Sequence, residues 1–488
     1  MGPFLLMAND ILRLGKETLI YGTSTVLARL LNFCLVPFYT YYLLPVQYGI
    51  IATTFAAIAL LSVVFLFGLD QSYLRFASDA ADKNKVFRQC FYGVLLNGLV
   101  LGGLLYWAAP AAARVWGLGS DFTLLRLAAG ILFLDVLNMI AFTKLRLQRR
   151  AWYFAGVRAF SIVVNVALNV WFLAVWRQGI HAILWANIFA SLASLLLLTP
   201  VWWSELKGHN PFRFDFRLQK EMFRFAWPFV PAGLASLLVS VIDKPLLVHL
   251  AGTEQVGIYQ ANFKIGVFMM LIVSMFDQAW RPFFLAHAKE KNAKRIFARV
   301  LSCFTAFSAW VLLGLSFLMP DIIQSRLLGS FHLLAPQYWA GLKIIPLVLT
   351  GYFFYGLYIN FMVGPVITKR TRVLMWITLL GAVASISTNL LLVPRLGILG
   401  AGWAVAVSYF VMACALFIFT QKAYGVPYEY GKLAMLAGLT LLWAGAVYWA
   451  GQYWAELPVR VLKIGLLCTY PLLAWGLVKN SLPQGDIP

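Results

Sequence analysis

Acidic residues are scarce in this chain: Asp and Glu together number 18 in 488 residues against 39 Lys and Arg, and charged residues of both signs make up only 12%. Soluble domains carry roughly 25%, so a water-facing surface of ordinary size is excluded. The shortage also excludes much acid-dependent chemistry. A membrane glycosyltransferase or polymerase needs carboxylates in a sizeable outer loop, yet the first outer loop is only Leu44-Pro45-Val46-Gln47, and the longest, near 320 to 341, holds one acid, Asp321. The five histidines lie far apart, no H-E-x-x-H occurs, and no G-x-x-x-x-G-K-[ST] loop is present to hold nucleotide phosphates. The five cysteines, Cys34, Cys90, Cys303, Cys414 and Cys468, lack the paired spacing of metal or redox sites and read as packing residues. No enzyme constellation, cofactor, resident metal or ATP-driven step within this chain is therefore expected.

What is plentiful is apolar surface, 62% of the residues. Apolar runs recur near the roughly 20 residues that cross a hydrocarbon core as a helix, the structure that satisfies its own backbone there. They predict an all-α polytopic membrane protein of about fourteen transmembrane helices, near 18–43, 48–68, 88–108, 122–142, 155–176, 180–203, 224–250, 256–279, 299–319, 342–364, 373–393, 397–420, 432–450 and 459–478. The formal net charge of +21 does not denote a nucleic-acid partner. Its cations gather in alternate loops, among them Lys83, Lys85 and Arg88, then Lys144, Arg149 and Arg150, then Lys289, Lys291 and Lys294. The opposite loops hold only isolated cations such as Arg114, Arg177 and Arg326. By the positive-inside rule both termini and the basic loops are expected on the cytoplasmic side. The first apolar stretch, after Arg13 and Lys16, is too long for a removable signal peptide and lacks a small-residue cleavage site.

The second hydrophobic block restates the first at an offset of about 207 to 220 residues. VQYGI at 46–50 corresponds to QVGIY at 255–259 through Gly49 and Gly257, and Leu69-Asp70-Gln71 corresponds to Phe276-Asp277-Gln278. Asn169, Arg177-Gln178-Gly179-Ile180 and Trp185 match Asn389, Arg395-Leu396-Gly397-Ile398 and Trp403. Six crossings return the chain to its starting side, so two six-helix units insert in the same orientation about an axis along the membrane normal, an arrangement of transporters. The expected organisation is an N-terminal lobe over 1–210, a C-terminal lobe over 211–425 and two additional helices over 426–488. The basic segment from Glu205 to Arg224 is the linker, either a solvated loop or an amphipathic surface helix.

Charges at helix centres cost about 2.5 to 3.5 kcal/mol on insertion scales, so they mark candidate sites. Arg29 lies about 16 Å into the first span at 1.5 Å per residue. Asp243 and Lys244 in the seventh span and Lys264 in the eighth lie at matching depths. Adjacent helical residues point about 100° apart, so Asp243 is expected to pair with Lys264 and to leave Lys244 for an anion. Asp135 sits deep in the fourth span, Arg126 and Arg158 lie nearer span ends, and Asn138, Asn165 and Asn169 add hydrogen-bonding groups that also serve as polar glue between helices. Arg29, Lys244, Lys264, Arg126 and Arg158 are the substrate-binding candidates; Asp243 and Asp135 are candidates for ion pairing or coupling. Asp70 with Arg75, and Asp277 with Arg281, occupy matching span ends and either gate the cytoplasmic side or serve helix-end electrostatics.

The run VIDKPLLVHLAGTEQVGIYQANFKIG, residues 241–266, resembles the seventh and eighth spans of polysaccharide transporters, the O-antigen flippase branch of the multidrug/oligosaccharidyl-lipid/polysaccharide superfamily. NLLLVPRLGILGAGWAVAVS, residues 389–408, resembles that superfamily's eleventh and twelfth spans. The resemblance implies two six-helix lobes in a V around a central cavity, in the bacterial cytoplasmic (inner) membrane. It implies a flippase that moves an undecaprenyl-pyrophosphate-linked oligosaccharide to the outer leaflet for surface polysaccharide synthesis. The implied partners are that lipid-linked oligosaccharide, membrane lipids, and a polysaccharide polymerase with other assembly proteins. The two helices beyond residue 430 favour the lipid-linked branch, where such helices cradle a lipid tail. A cation-coupled multidrug exporter and a polytopic glycosyltransferase are the alternatives.

Overall fold

The computed structural model describes residues 30–31, 33–79, 82–206, 214–326 and 331–479. Among these, twelve helices are long and apolar enough to cross a bilayer, from Pro45–Ser78 to Glu456–Leu477. A shorter apolar helix, His181–Leu197, and the helical residues 33–42 lie where the other two of the about fourteen expected crossings fall. The start of the first span, Arg29 included, lies outside the described residues, as do Lys207 and Arg213 of the linker. Helices are the only open-ended structure that lipid permits, because each backbone N–H finds its acceptor within the segment. By packing, the chain divides into two compact units, Met1–Gln260 and Ala261–Pro488.

In the first unit the long helices are broken where the chain cannot continue them. The second span runs Pro45–Leu66, halts at Phe67 and Gly68, and resumes as Leu69–Asp79. Gly68 has a φ of 72°, and a side chain there would press on the Ala226 carbonyl, so the position needs glycine twice over. The seventh span comes in three pieces, Phe216–Ala226, Phe229–Val241 and Asp243–Ala251. Pro231 and Pro245 each lack an N–H and crowd the carbonyl four residues back, at Trp227 and Val241, which places the two interruptions. The first piece is the amphipathic helix considered for the linker. Its Gln219, Met222 and Ala226 are buried, and the Ser72 hydroxyl donates to the Met222 carbonyl at 2.8 Å.

The repeat motif around Gly49 and Gly257 meets itself. A Cβ on Gly49 would run into the Thr253 carbonyl and one on Gly257 into the Pro45 carbonyl, and each backbone nitrogen lies 3.0 Å from the other residue's Cβ position. Backbone this close leaves room for hydrogen alone at both positions. The other matched positions agree locally. Gly179 and Gly397 both adopt positive φ, at 64° and 58°, and the Asn169 and Asn389 amides both donate to the carbonyl four residues earlier at 2.8 Å.

In the second unit the helices Arg372–Leu396 and Ile398–Ala423 form a tight hairpin at Gly397. The last two spans pack on the helix Ala293–Gln324. Leu313, Leu436 and Tyr470 are fully buried there, the Trp310 indole donates to the Leu467 carbonyl at 3.0 Å, and Lys463 pairs with Asp321 at 2.7 Å. Their other faces are exposed apolar surface, with Leu441 at 73% and Leu472 at 74%, as lipid-facing helices require.

Candidate functional site

Three helices of the first unit each turn a polar stripe toward one space. Thr123–Leu147 contributes Asp135, Asn138, Met139 and Phe142; Ala151–Val170 contributes Arg158, Ser161, Ile162 and Asn165; His181–Leu197 contributes Asn187, Ala190, Ser191 and Ser194. Within each, spacings of three and four residues place the group on one helix face. With Ser62 and Leu66 of the second span they enclose a cavity of about 360 Å³. Pockets for small ligands are typically 300–1,000 Å³, and a polar one inside a membrane bundle is a functional feature by default.

Asp135 stands twelve residues into a 25-residue helix, close to its centre. Its carboxylate accepts the Ser191 hydroxyl at 2.6 Å and is otherwise open to the cavity. The Asn138 amide donates to the Ser191 carbonyl at 2.8 Å, which fixes the serine backbone, while its own buried oxygen has no partner. Arg158 lies with its guanidinium 4.3 Å over the Phe142 ring and 5.9 Å from that of Phe154, and it interacts electrostatically with Asp135. The two rings hold the cation by its attraction to their faces. An acid, a planar cation and several amide and hydroxyl groups thus share one chamber. It matches polar, hydrogen-bonding ligands of either sign, because carboxylate and guanidinium each present a fork to a partner.

Of the residues singled out from sequence, Asp135, Arg158, Asn138 and Asn165 come together here. The serines at 62, 161, 191 and 194 and Asn187 were not singled out; their signal was a polar face recurring every three or four residues in otherwise apolar helices. Arg126 lies elsewhere, its guanidinium between Phe122 at 4.6 Å and Tyr106 at 4.7 Å and its buried Nε without a hydrogen-bond partner.

The expectation for Asp243 and Lys244 is overturned in its geometry. The Lys244 ammonium folds back onto the Asp243 carboxylate at 3.1 and 3.4 Å, and the Tyr259 hydroxyl donates to the same carboxylate at 2.6 Å. The reason is the interruption at Ile242: Asp243 opens a new helix rather than continuing an old one, and it accepts the Lys244 backbone N–H at 3.0 Å. Lys244 is therefore not left clear for an anion, and both side chains are buried. Lys264 lies in a single tight turn, Lys264–Gly266, half-buried within the eighth span.

The paired span-end acids also differ. Asp277 binds Arg281 at 2.6 Å across one helical turn, whereas Asp70 accepts the Gln71 amide at 2.7 Å. Arg75 is five residues from Asp70, one beyond the spacing that shares a face.

Residues 14–287, more than half of the chain, match the family described as "Polysaccharide biosynthesis protein". No curated protein matches the sequence. Among solved structures, a lipid II flippase MurJ in an inward closed conformation aligns over 94% of this chain and 99% of its own, with a TM-score of 0.73 at 15% identity. An inward-facing multidrug resistance transporter of the MATE family and MOP superfamily aligns over 88% and 99%, with a TM-score of 0.61 at 14% identity. At these identities the likeness establishes a shared fold.

Proposed function

The chain belongs to the polysaccharide biosynthesis protein family, and from that premise we propose that it flips an undecaprenyl-pyrophosphate-linked oligosaccharide from the cytoplasmic to the outer leaflet of the bacterial inner membrane by alternating access. The observation that carries the reading is the polar chamber around Asp135 and Arg158, placed inside a bundle whose outer surface is apolar. A sugar crossing lipid needs replacement hydrogen bonds for those it loses to water, and the amides, hydroxyls and charges of the chamber supply them. The lobes are taken as 1–210 and 211–425, with 426–488 added, and both termini as cytoplasmic. Arg158 binds the substrate's polar part, with Arg29, Arg126 and Lys264 as further cations for the pyrophosphate. Asp135, and Asp243 in its bond with Lys244, provide the coupling; Asp70, Arg75, Asp277 and Arg281 act at the cytoplasmic gate. A polymerase working at the outer face receives the product.

The test is a strain lacking the protein, in which lipid-linked glycans of the cytoplasmic leaflet are identified by mass spectrometry. Accumulation of one such glycan, cleared by the wild-type gene and not by the Arg158→Ala variant, is the expected result. No accumulation together with new drug sensitivity would instead establish the multidrug exporter.

A further inference from the structure

A second concavity, of about 320 Å³, lies on the outer surface of the first unit and is apolar where the chamber is polar. Tyr92, Leu95, Leu96 and Leu99 of the helix Lys83–Val115 form its wall and Phe214, just ahead of the helix Phe216–Ala226, closes one side. Leu96 and Leu99 are 59% and 56% exposed, so the groove opens outward.

Its surroundings grade from charged to apolar along one helix face. Lys85, Arg88, Tyr92, Leu96 and Leu99 follow at spacings of three and four residues, so they align, and at 1.5 Å per residue the row is about 21 Å long. The charged end is tied to the linker helix by the Lys85–Asp215 ion pair at 2.7 Å. That helix, with Gln219, Met222 and Ala226 buried, exposes Arg217, Lys220 and Arg224. With Lys83, Lys85 and Arg88 this makes six cations, against three acids, Asp82, Asp215 and Glu221. Cation, tyrosine and leucine in that order reproduce the profile of a lipid from headgroup to chain, and the positive excess selects an anionic headgroup.

We propose that this groove is a binding site for one anionic phospholipid of the leaflet on the side of the basic loops. One acyl chain lies along Leu95, Leu96 and Leu99 under Phe214, and the phosphate rests on Arg217, Lys220 and the free donors of Lys85. The lipid pins the linker helix to the third span. The proposal does not depend on what the protein transports.

Purified full-length protein, stripped of lipid, is titrated with dioleoyl-phosphatidylglycerol or dioleoyl-phosphatidylcholine, and bound lipid is counted by native mass spectrometry. Tight retention of one phosphatidylglycerol, not matched by phosphatidylcholine, is expected. Arg217→Ala with Lys220→Ala weakens that retention about 30-fold, and Leu96→Trp, which fills the groove at an exposed position, removes it without lowering the melting temperature. Equal retention of both lipids by the wild type, or unchanged phosphatidylglycerol retention in both variants, overturns the proposal. Displacement of phosphatidylglycerol by an equimolar polyprenyl phosphate also overturns it, and assigns the groove to the prenyl carrier.

Discussion

Where the fourth, fifth and sixth spans enclose a charged chamber around Asp135 and Arg158, their counterparts in the second half bring aromatic rings together. Tyr355 of the tenth span lies 5.1 Å from Tyr409 of the twelfth and 6.1 Å from Tyr358, and Tyr352 lies 6.1 Å from Tyr409. Features that serve the backbone agree in both halves: the positive-φ glycines 179 and 397, and the asparagines 169 and 389 that bond one turn back. What diverges is the set of side chains facing inward. A duplicated scaffold keeps what each copy needs to fold, and leaves the interior free to specialise once one copy carries the charge.

The comparison is broken or upheld first by function. Arg158→Ala is expected to lower transport about 100-fold at normal abundance, the value of a lost charge-assisted hydrogen bond of roughly 2–3 kcal/mol. Tyr355→Phe in the second half keeps its ring contacts and should leave transport within about two-fold. A transport assay in which both variants lose equally would show that the halves share the work.

The shared backbone features come next. Gly49→Val and Gly257→Val drive a branched side chain into the Thr253 and Pro45 carbonyls, and no rotamer relieves a clash at Cβ. Each is expected to cost about 2 kcal/mol, seen as reduced membrane abundance and a lowered melting temperature. Gly103→Ala, where a Cβ meets nothing within 4 Å, is the control and should be neutral. Equal effects of Gly49 and Gly257 substitution follow from their mutual contact, and unequal ones would break the symmetry.

These particulars also mark how far the sequence was readable. The crossings and the repeat were legible because hydropathy and glycine spacing are set locally, and Gly49 and Gly257 were paired by sequence before they proved to touch. The chamber was half legible. A carboxylate deep in a span is costly and stands out, as Asp135 does, but Ser161, Ser191 and Ser194 are cheap in a helix and carry no such signal. A membrane helix also gives little indication of which face looks inward, since lipid and core are both apolar. Lys244 was misjudged for a different reason: the 100° argument assumes an unbroken helix, and Pro245 interrupts it two residues from Asp243.

Smaller in effect is the asparagine pair. Asn169 and Asn389 make the same bond one turn back, but the Asn169 oxygen also accepts the Tyr39 hydroxyl at 2.8 Å, while that of Asn389 is buried without a partner. Asn169→Ala strands a tyrosine hydroxyl and should cost about 1–2 kcal/mol; Asn389→Ala removes an unsatisfied oxygen with its donor and should cost less than about 1 kcal/mol. Thermal unfolding of the purified variants separates the two, and a larger loss at Asn389 would refute the assignment of their partners.

The smallest expected difference lies where each half ends and the next helix begins. Asp215 caps Phe216–Ala226, accepting the Leu218 N–H at 3.0 Å and binding Lys85 at 2.7 Å, whereas Glu429 precedes Tyr430–Tyr453, accepting the Ser302 hydroxyl at 2.9 Å and Lys432 at 3.0 Å without capping its helix. The Lys85 ammonium, and after it the Leu218 N–H, hold the Asp215 carboxyl below the usual carboxylate range. A carboxyl depressed in the folded state contributes its stabilisation fully above the unfolded value of about 3.9 and loses it as pH falls through the lower folded value. At pH 7, Asp215→Asn should therefore raise amide exchange across 216–226 a few-fold, and the gap from wild type should close as the pH drops below about 4. Glu429→Gln touches no helix N–H, so exchange at the start of Tyr430–Tyr453 should stay near wild type while the link to Ser302 weakens. Exchange measured by mass spectrometry at pH 7 and pH 3.5 reads both, and a wild-type linker that opens no further at the lower pH would show that Asp215 does not hold it.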